Sequence, residues 1–220
     1  MSLMAKTLPP ASQRIPKILT VFERTYPDAA CTLNFSSPLE LLVATILSAQ
    51  CTDVLVNKVT VELFQKYTTA NDYAGADRPA LERDISRVNF YRNKAKSILG
   101  ACQVIVERFG GRVPDRMEDL IQLPGVARKT ANVVLGNAFH KPAGVVVDTH
   151  VMRLSQRIGL THQTDRDKIE QDLMALVPKK DWTRFGHRMI AHGRTICNAK
   201  APKCSDCPLG AALCPSFEKV

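Results

Sequence analysis

Near the middle of the chain stands Leu123-Pro124-Gly125-Val126-Ala127-Arg128-Lys129-Thr130-Ala131-Asn132, preceded by Leu120 and followed by Val133, Val134 and Ala138. A short helix is expected up to Leu120, a tight turn at Pro124-Gly125, and a second helix carrying Thr130, Val133, Val134 and Ala138 on one face. Such a corner exposes consecutive backbone N–H groups at a helix N-terminus, from Leu123, Gly125, Val126, Ala127 and Thr130. Those groups and the helix dipole attract anions. An ordinary helix–turn–helix corner is the plainer alternative. Lys129 falls in the first turn of the second helix, about 40° from Val133 and about 60° from Val126 on a helical wheel. Its ammonium is therefore expected at the edge of an apolar face, partly desolvated and beside Arg128, a setting that suits a nucleophilic amine. A lysine that snorkels into solvent is the alternative.

Outward from this point the chain reads as helix nearly everywhere. Ile15, Ile18, Leu19 and Phe22 form an amphipathic stripe. Ser37-Pro38-Leu39-Glu40 has the form of a capping box with proline at the first helical position, starting a buried helix to Leu47. Val54, Lys58, Val61 and Phe64 mark the next helix. Asp77-Arg78-Pro79 opens a short one with Leu81 and Ile85. Ala95 to Phe109 form a long one stopped by Gly110-Gly111, and Asp115 with Glu118 signals another cap. Asp148 precedes Val151, Leu154 and Ile158 and reads as an N-cap, compatible with a carboxylate that also faces a cleft. Thr164–Val177 and Trp182–Ile196 complete the helices. No long alternating pattern appears, so the fold class is all-α, with boundaries best placed near Pro27–Leu33 and Pro142–Gly144.

The 220 residues carry 30 Lys+Arg against 21 Asp+Glu, a net charge of +9. With 45% hydrophobic residues, 11 Gly and 13 Pro, disorder and collagen-like structure are excluded. No apolar run reaches the ~20 residues of a membrane helix, and Met1–Pro10 has no apolar block of a signal peptide, so a soluble intracellular chain with no membrane partner is expected. The charge is uneven. Lys179–Lys203 holds seven basic residues and one acid, and Arg78–Lys96 holds six against Glu82 and Asp84. Concentrated positive charge attracts a polyanion, most commonly nucleic acid.

Four of seven cysteines lie near the C-terminus, Cys197, Cys204, Cys207 and Cys214, spaced C-x6-C-x2-C-x6-C. Clustered thiols in an intracellular chain suggest metal. Proline after Cys207 and Cys214 suits iron–sulfur ligation, and a tetrahedral zinc is the rival. Cys31, Cys51 and Cys102 read as small buried hydrophobes.

Taken together, these motifs resemble one family. Leu123–Asn132 resembles the helix–hairpin–helix signature of the endonuclease III family of DNA glycosylases. Val147-Asp148-Thr149-His150 resembles its aspartate motif, Ser48-Ala49-Gln50-Cys51-Thr52-Asp53 its third motif, and the C-terminal cysteines its iron–sulfur loop. The likeness runs from Ile15 to Cys214 in one order. It implies a two-domain helix–hairpin–helix DNA glycosylase architecture: a helical domain over 31–141, and a cluster domain of 1–30 plus 142–220, with DNA across the cleft between them. It implies a monomer in the bacterial cytoplasm, associated with the nucleoid, acting on double-stranded DNA with damaged pyrimidines or abasic sites.

The resemblance also implies roles. Lys129 attacks the sugar C1′ of an oxidised pyrimidine and forms a Schiff base. Asp148 helps deprotonate Lys129 and stabilises positive charge on the sugar, and β-elimination then cleaves the strand. Gln50 fills the gap left by the flipped nucleotide, and Phe90 wedges into the opposite strand. Lys200 and Lys203 sit near DNA phosphates on a loop fixed by a [4Fe–4S] cluster held by Cys197, Cys204, Cys207 and Cys214. Phe90 departs from the aliphatic residue of the family pattern; a core aromatic is its alternative. Ala127 departs from a second hairpin glycine, costing about 1 kcal/mol if the backbone there needs positive φ. The last cysteine spacing is x6 rather than x5, and the Lys129–Asp148 separation is one residue longer. Rival readings are a thymine-mismatch glycosylase and a non-catalytic iron–sulfur DNA-binding module.

Overall fold

The structure, a computed structural model, describes residues 8–219; residues 1–7, most of the Met1–Pro10 segment, lie outside them. Twelve α-helices and two 3-10 turns follow one another, with no strand among the described residues. They divide into two compact units. One comprises Cys31–Ala143; the other joins the N-terminal segment through Ala30 to the chain from Gly144 onward.

In the Cys31–Ala143 unit, α2 (Pro38–Ser48) begins where sequence places it, with Ser37 Oγ accepting from Glu40 N at 3.2 Å. The reciprocal half of the capping box is shifted by one residue. Glu40 Oε2 accepts from Ser36 N (2.5 Å), so the carboxylate caps the turn before the helix. Helix α2 is buried almost all round and forms the centre of this unit. Helix α3 (Asp53–Lys66) turns a different face inward from the one the sequence suggested. Val56, Val59, Thr60 and Leu63 are buried, whereas Val54 and Val61 are 66% and 58% exposed. Both sets have helical spacing, and neighbouring α2 selects the set nearest its apolar flank. Next come α4 (Ala70–Ala74), which packs on α6 and has no strong periodic signal of its own, and α5 (Arg78–Asp84), capped by Asp77 as expected. The long α6 (Tyr91–Phe109) ends at Gly110 in the left-handed region, φ 59°. Asp115 does not cap α7 (Met117–Leu120): Arg116 occupies that position without a side-chain capping bond, and Asp115 pairs with Lys141. Helix α8 (Arg128–Ala138) closes this unit.

In the second unit, α1 (Ala11–Thr25), α9 (Thr149–Arg157), α10 (Arg166–Leu176) and α11 (Trp182–Thr195) enclose a core of Ile18, Phe22, Leu154, Leu173, Phe185 and Met189. Helix α10 starts two residues later than expected, because Asp165 rather than Thr164 caps it through bonds from Asp167 N and Lys168 N. A short α12 (Gly210–Leu213) lies within the cysteine segment. No helix among the described residues is long and apolar enough to cross a membrane.

The orientation of α3 gives a direct test. Leu63→Ala should cost about 2–5 kcal/mol in chemical denaturation, whereas Val61→Ser should stay within about 0.5 kcal/mol. Equal costs would place the wrong face inside.

Candidate active-site hairpin and cysteine cavity

The hairpin between α7 and α8 is held from below. Leu120, Leu123, Val126 and Ala131 are buried in the core of the Cys31–Ala143 unit. Leu123 N donates to Leu120 O and Val126 N to Leu123 O, both at 3.1 Å. Leu123 and Val126 thus spend their side chains on the core, so any ligand contact they make is through backbone. Gly125 turns between them with φ +77°. A Cβ built there would lie 2.5 Å from Ser97 Cβ on α6, so glycine is required by both torsion and space. Pro124 packs on the same helix at Gly100, where a Cβ would approach the proline ring to 3.2 Å. Ser97 and Gly100 form a seat for the turn that nothing in their local pattern announced.

Ala127 resolves differently from the sequence expectation. Its φ of −88° and ψ of 169° are ordinary extended backbone, so alanine carries no positive-φ cost. It occupies the N-cap of α8 with no side chain to accept from the first turn. The N–H groups of Gly125 and Ala127 have no acceptor among the described residues. Lys129, in the first turn, is exposed, with no hydrogen bond or ion pair among the described residues. The desolvation expected from its wheel position is therefore absent; what remains is a free amine beside the positive end of a helix. Thr130 is half-buried behind it.

Two further candidates sit in the same unit. Gln50, just past α2, and Phe90, at the N-cap of α6, both have left-handed backbones, φ 54° and 59°. Phe90 is 60% exposed, which removes the core-aromatic alternative. Asp53 accepts a 2.6 Å bond from Thr32 Oγ1.

In the other unit, Asp148 caps α9 as expected. Its Oδ1 accepts from His150 N and Val151 N, each at 2.8 Å. Buried Val145 and Val147 anchor the approach, and the carboxylate is half-buried. Because both cap bonds use Oδ1, Oδ2 has no partner among the described residues. A carboxylate fixed by one oxygen and open at the other is suited to proton transfer or charge stabilisation.

Cys197, Cys204, Cys207 and Cys214 all line one small cavity, with Ile158, Leu209 and Phe217 among its apolar walls. Burial pushes the Cys207 and Cys214 thiols up. Three arginines that the sequence reading did not single out hold the surrounding loops. Arg157 donates to Asn198 O (2.7 Å), Ala199 O (2.9 Å) and, at 3.5 Å, to Cys197 Sγ. Arg153 donates to Gly193 O and Cys197 O. Arg14 on α1 donates to Ile158 O, Gly159 O and Leu213 O. His192, buried between Tyr26 and Cys207, is pushed down to about 4 by desolvation; its Nδ1 is 2.8 Å from the Tyr26 hydroxyl and its Nε2 3.6 Å from Cys207 Sγ. Lys200 and Lys203 are exposed on this loop.

Residues 43–179 match the model of the HhH-GPD superfamily of base excision DNA repair proteins. The chain belongs to the endonuclease III family. It is 56% identical over 218 residues to an endonuclease III of Synechocystis, covering 99% of both chains. It is 38% identical to that of Escherichia coli, covering 93% of this chain and 96% of that one. An endonuclease III solved as a trapped covalent intermediate with DNA is 45% identical, with a TM-score of 0.89 over 94% of this chain and 97% of that one. A thermostable thymine-DNA glycosylase shares the fold at 24% identity, with a TM-score of 0.83 over 94% of this chain and 98% of that one. The chain is thus a base excision repair enzyme, a DNA glycosylase and lyase.

Two substitutions separate the hairpin's constraints. Gly125→Ala should destabilise the protein by about 2 kcal/mol or more, from backbone strain and the Ser97 clash. Ala127→Ser should do the reverse, stabilising by about 1 kcal/mol as its hydroxyl caps α8. By occupying the Thr130 N–H in the first turn of α8, one of the groups available to a phosphate, it should also weaken DNA binding. Tighter binding by Ala127→Ser would contradict the anion-site reading.

Proposed function

We propose that this chain excises oxidised pyrimidines from double-stranded DNA and then nicks the strand, using Lys129 as nucleophile and Asp148 as its carboxylate partner. The observation that carries this reading is the free ammonium of Lys129, placed in the first turn of α8 directly after the Gly125 hairpin. DNA is the partner, double-stranded with a damaged pyrimidine or an abasic site, and the protein acts as a monomer. The lesion must leave the base stack to be reached.

In the chemical steps, Asp148 Oδ2 takes a proton from the Lys129 ammonium. The neutral amine attacks C1′, the glycosidic bond breaks, and its electron pair leaves with the base, which is protonated. The second amine proton passes to the ring O4′, the C1′–O4′ bond breaks, and Nζ and C1′ are left joined as a protonated imine. That protonated imine acidifies the C2′ proton. Its removal expels the 3′ phosphate by β-elimination. Gln50 fills the vacated stack, Phe90 wedges the opposite strand as an apolar side chain can, and the backbone N–H groups of Gly125, Ala127 and Thr130 hold a phosphate, those of Leu123 and Val126 being spent within the turn. Lys200 and Lys203 contact phosphates and set affinity more than lesion choice.

The four cysteines are proposed to hold a [4Fe–4S] cluster. Thiols held up by burial need a cationic partner to become thiolates, and all four border one cavity. A single zinc needs its ligands converged on one point. Proline after Cys207 and after Cys214, as in iron–sulfur ligation runs, supports a cluster over a single zinc. When bound, the cluster supplies structural fixation of the loop carrying Lys200 and Lys203.

The test is covalent trapping. Wild-type protein incubated with an abasic duplex and borohydride should give a stable protein–DNA adduct, and Lys129→Gln should give none while retaining DNA binding. A full-yield adduct with Lys129→Gln would overturn the reading. Cys204→Ser should lose the visible absorption band and stoichiometric iron, and zinc in place of iron would overturn the cluster assignment.

A further inference from the structure

Four non-glycine residues among those described have positive φ, and Gln50 and Phe90 are two of them. A left-handed backbone is disfavoured for any residue with a Cβ and persists only where the surroundings over-determine it. Here packing is not the cause, because Gln50 and Phe90 are exposed. The surroundings that fix them are polar and centre on Lys94, which is itself buried. Its Nζ donates to Leu47 O at 2.7 Å, Ala49 O at 2.7 Å and Cys51 Sγ at 3.3 Å. An ammonium has three donors, and all three go to the turn that carries Gln50. The backbone N–H of the same Lys94 donates to Phe90 O at 3.1 Å. Asn89 adds the cross-link: its Nδ2 donates to Gln50 O at 2.8 Å and its backbone N–H to Cys51 Sγ at 3.3 Å. The turn after α2 and the turn before α6 are thus joined by two residues: Asn89 and Lys94 are anchored by their backbones at the second turn and send their side chains to the first.

We propose that Lys94 and Asn89 are positioning residues for base extrusion, presenting Gln50 and Phe90 to DNA as one pre-set pair. This rests on the insertion roles given above and adds that the two insertions are mechanically coupled. A pair held before encounter avoids ordering two flexible side chains during flipping, the step for which pre-organisation matters most. The hydrogen bonds of both residues go to these two turns and not to Lys129 or Asp148, so their loss should affect extrusion and leave the lysine chemistry intact.

The test compares substrates that do and do not need extrusion. Asn89→Ala and Asn89→Asp change an exposed side chain; Lys94→Met removes the buried centre. Single-turnover excision from a fully paired duplex should fall on the order of tenfold in the Asn89 variants. Borohydride trapping on a single-stranded abasic oligonucleotide should be unchanged, and a lesion placed in a bulge should restore most of the lost rate. A parallel fall on duplex and single-stranded substrates would make the network merely structural and overturn the proposal. Unchanged duplex excision in both Asn89 variants, with Gln50→Ala impaired, would overturn the coupling alone. If Gln50→Ala and Phe90→Ala also leave duplex excision unchanged, the insertion reading beneath it fails.

Discussion

At Gly125 the chain turns with φ +77° against Ser97, at a distance where no Cβ fits. This contact fixes where α8 begins. Leu123 and Val126 lock the turn into the core on either side, so the backbone between them has little freedom to move. The consequence is chemical: the N–H groups of Gly125 and Ala127 have no acceptor among the described residues, and Lys129 follows in the first turn of α8. A nucleophile on a helix held by a packed hairpin is placed more closely than one on a loop, which covalent chemistry at a single carbon requires.

Elsewhere the structure repeats one device, a cation that satisfies backbone carbonyls of an irregular segment. Lys94 does so for the turn carrying Gln50, and Arg14, Arg153 and Arg157 do so around the cysteines. Loop carbonyls lack the partners that a helix supplies, and a multidentate donor provides several bonds from one side chain. The net charge of +9 therefore has two uses. Part of it is structural: Lys94 within Arg78–Lys96, and Arg188, buried and 3.4 Å from Glu23, within Lys179–Lys203. The exposed remainder, with Lys200 and Lys203, is the part proposed to meet phosphates.

Signals confined to a few neighbouring residues were legible in the sequence. Ser37, Asp77 and Asp148 cap their helices because an Asx or Ser side chain reaches only two or three residues ahead. Features set by distant neighbours were not. Helix α3 has two apolar stripes, and α2 decides between them. Asp115 had the form of a cap but found Lys141 instead. The cost assigned to Ala127 assumed a torsion that the backbone does not adopt, and the desolvation assigned to Lys129 assumed a cover that no described residue provides. Gln50 and Phe90 stood out by motif alone; the strain that marks them depends on Lys94, more than forty residues from Gln50 in sequence.

The exposed amine after the Gly125 hairpin is the group proposed to bond to DNA. Peptide mapping of the borohydride-trapped wild-type adduct by tandem mass spectrometry tests it at residue level. The nucleotide remnant is expected on Lys129. A remnant carried by any other lysine, or by the N-terminal amine, would contradict it.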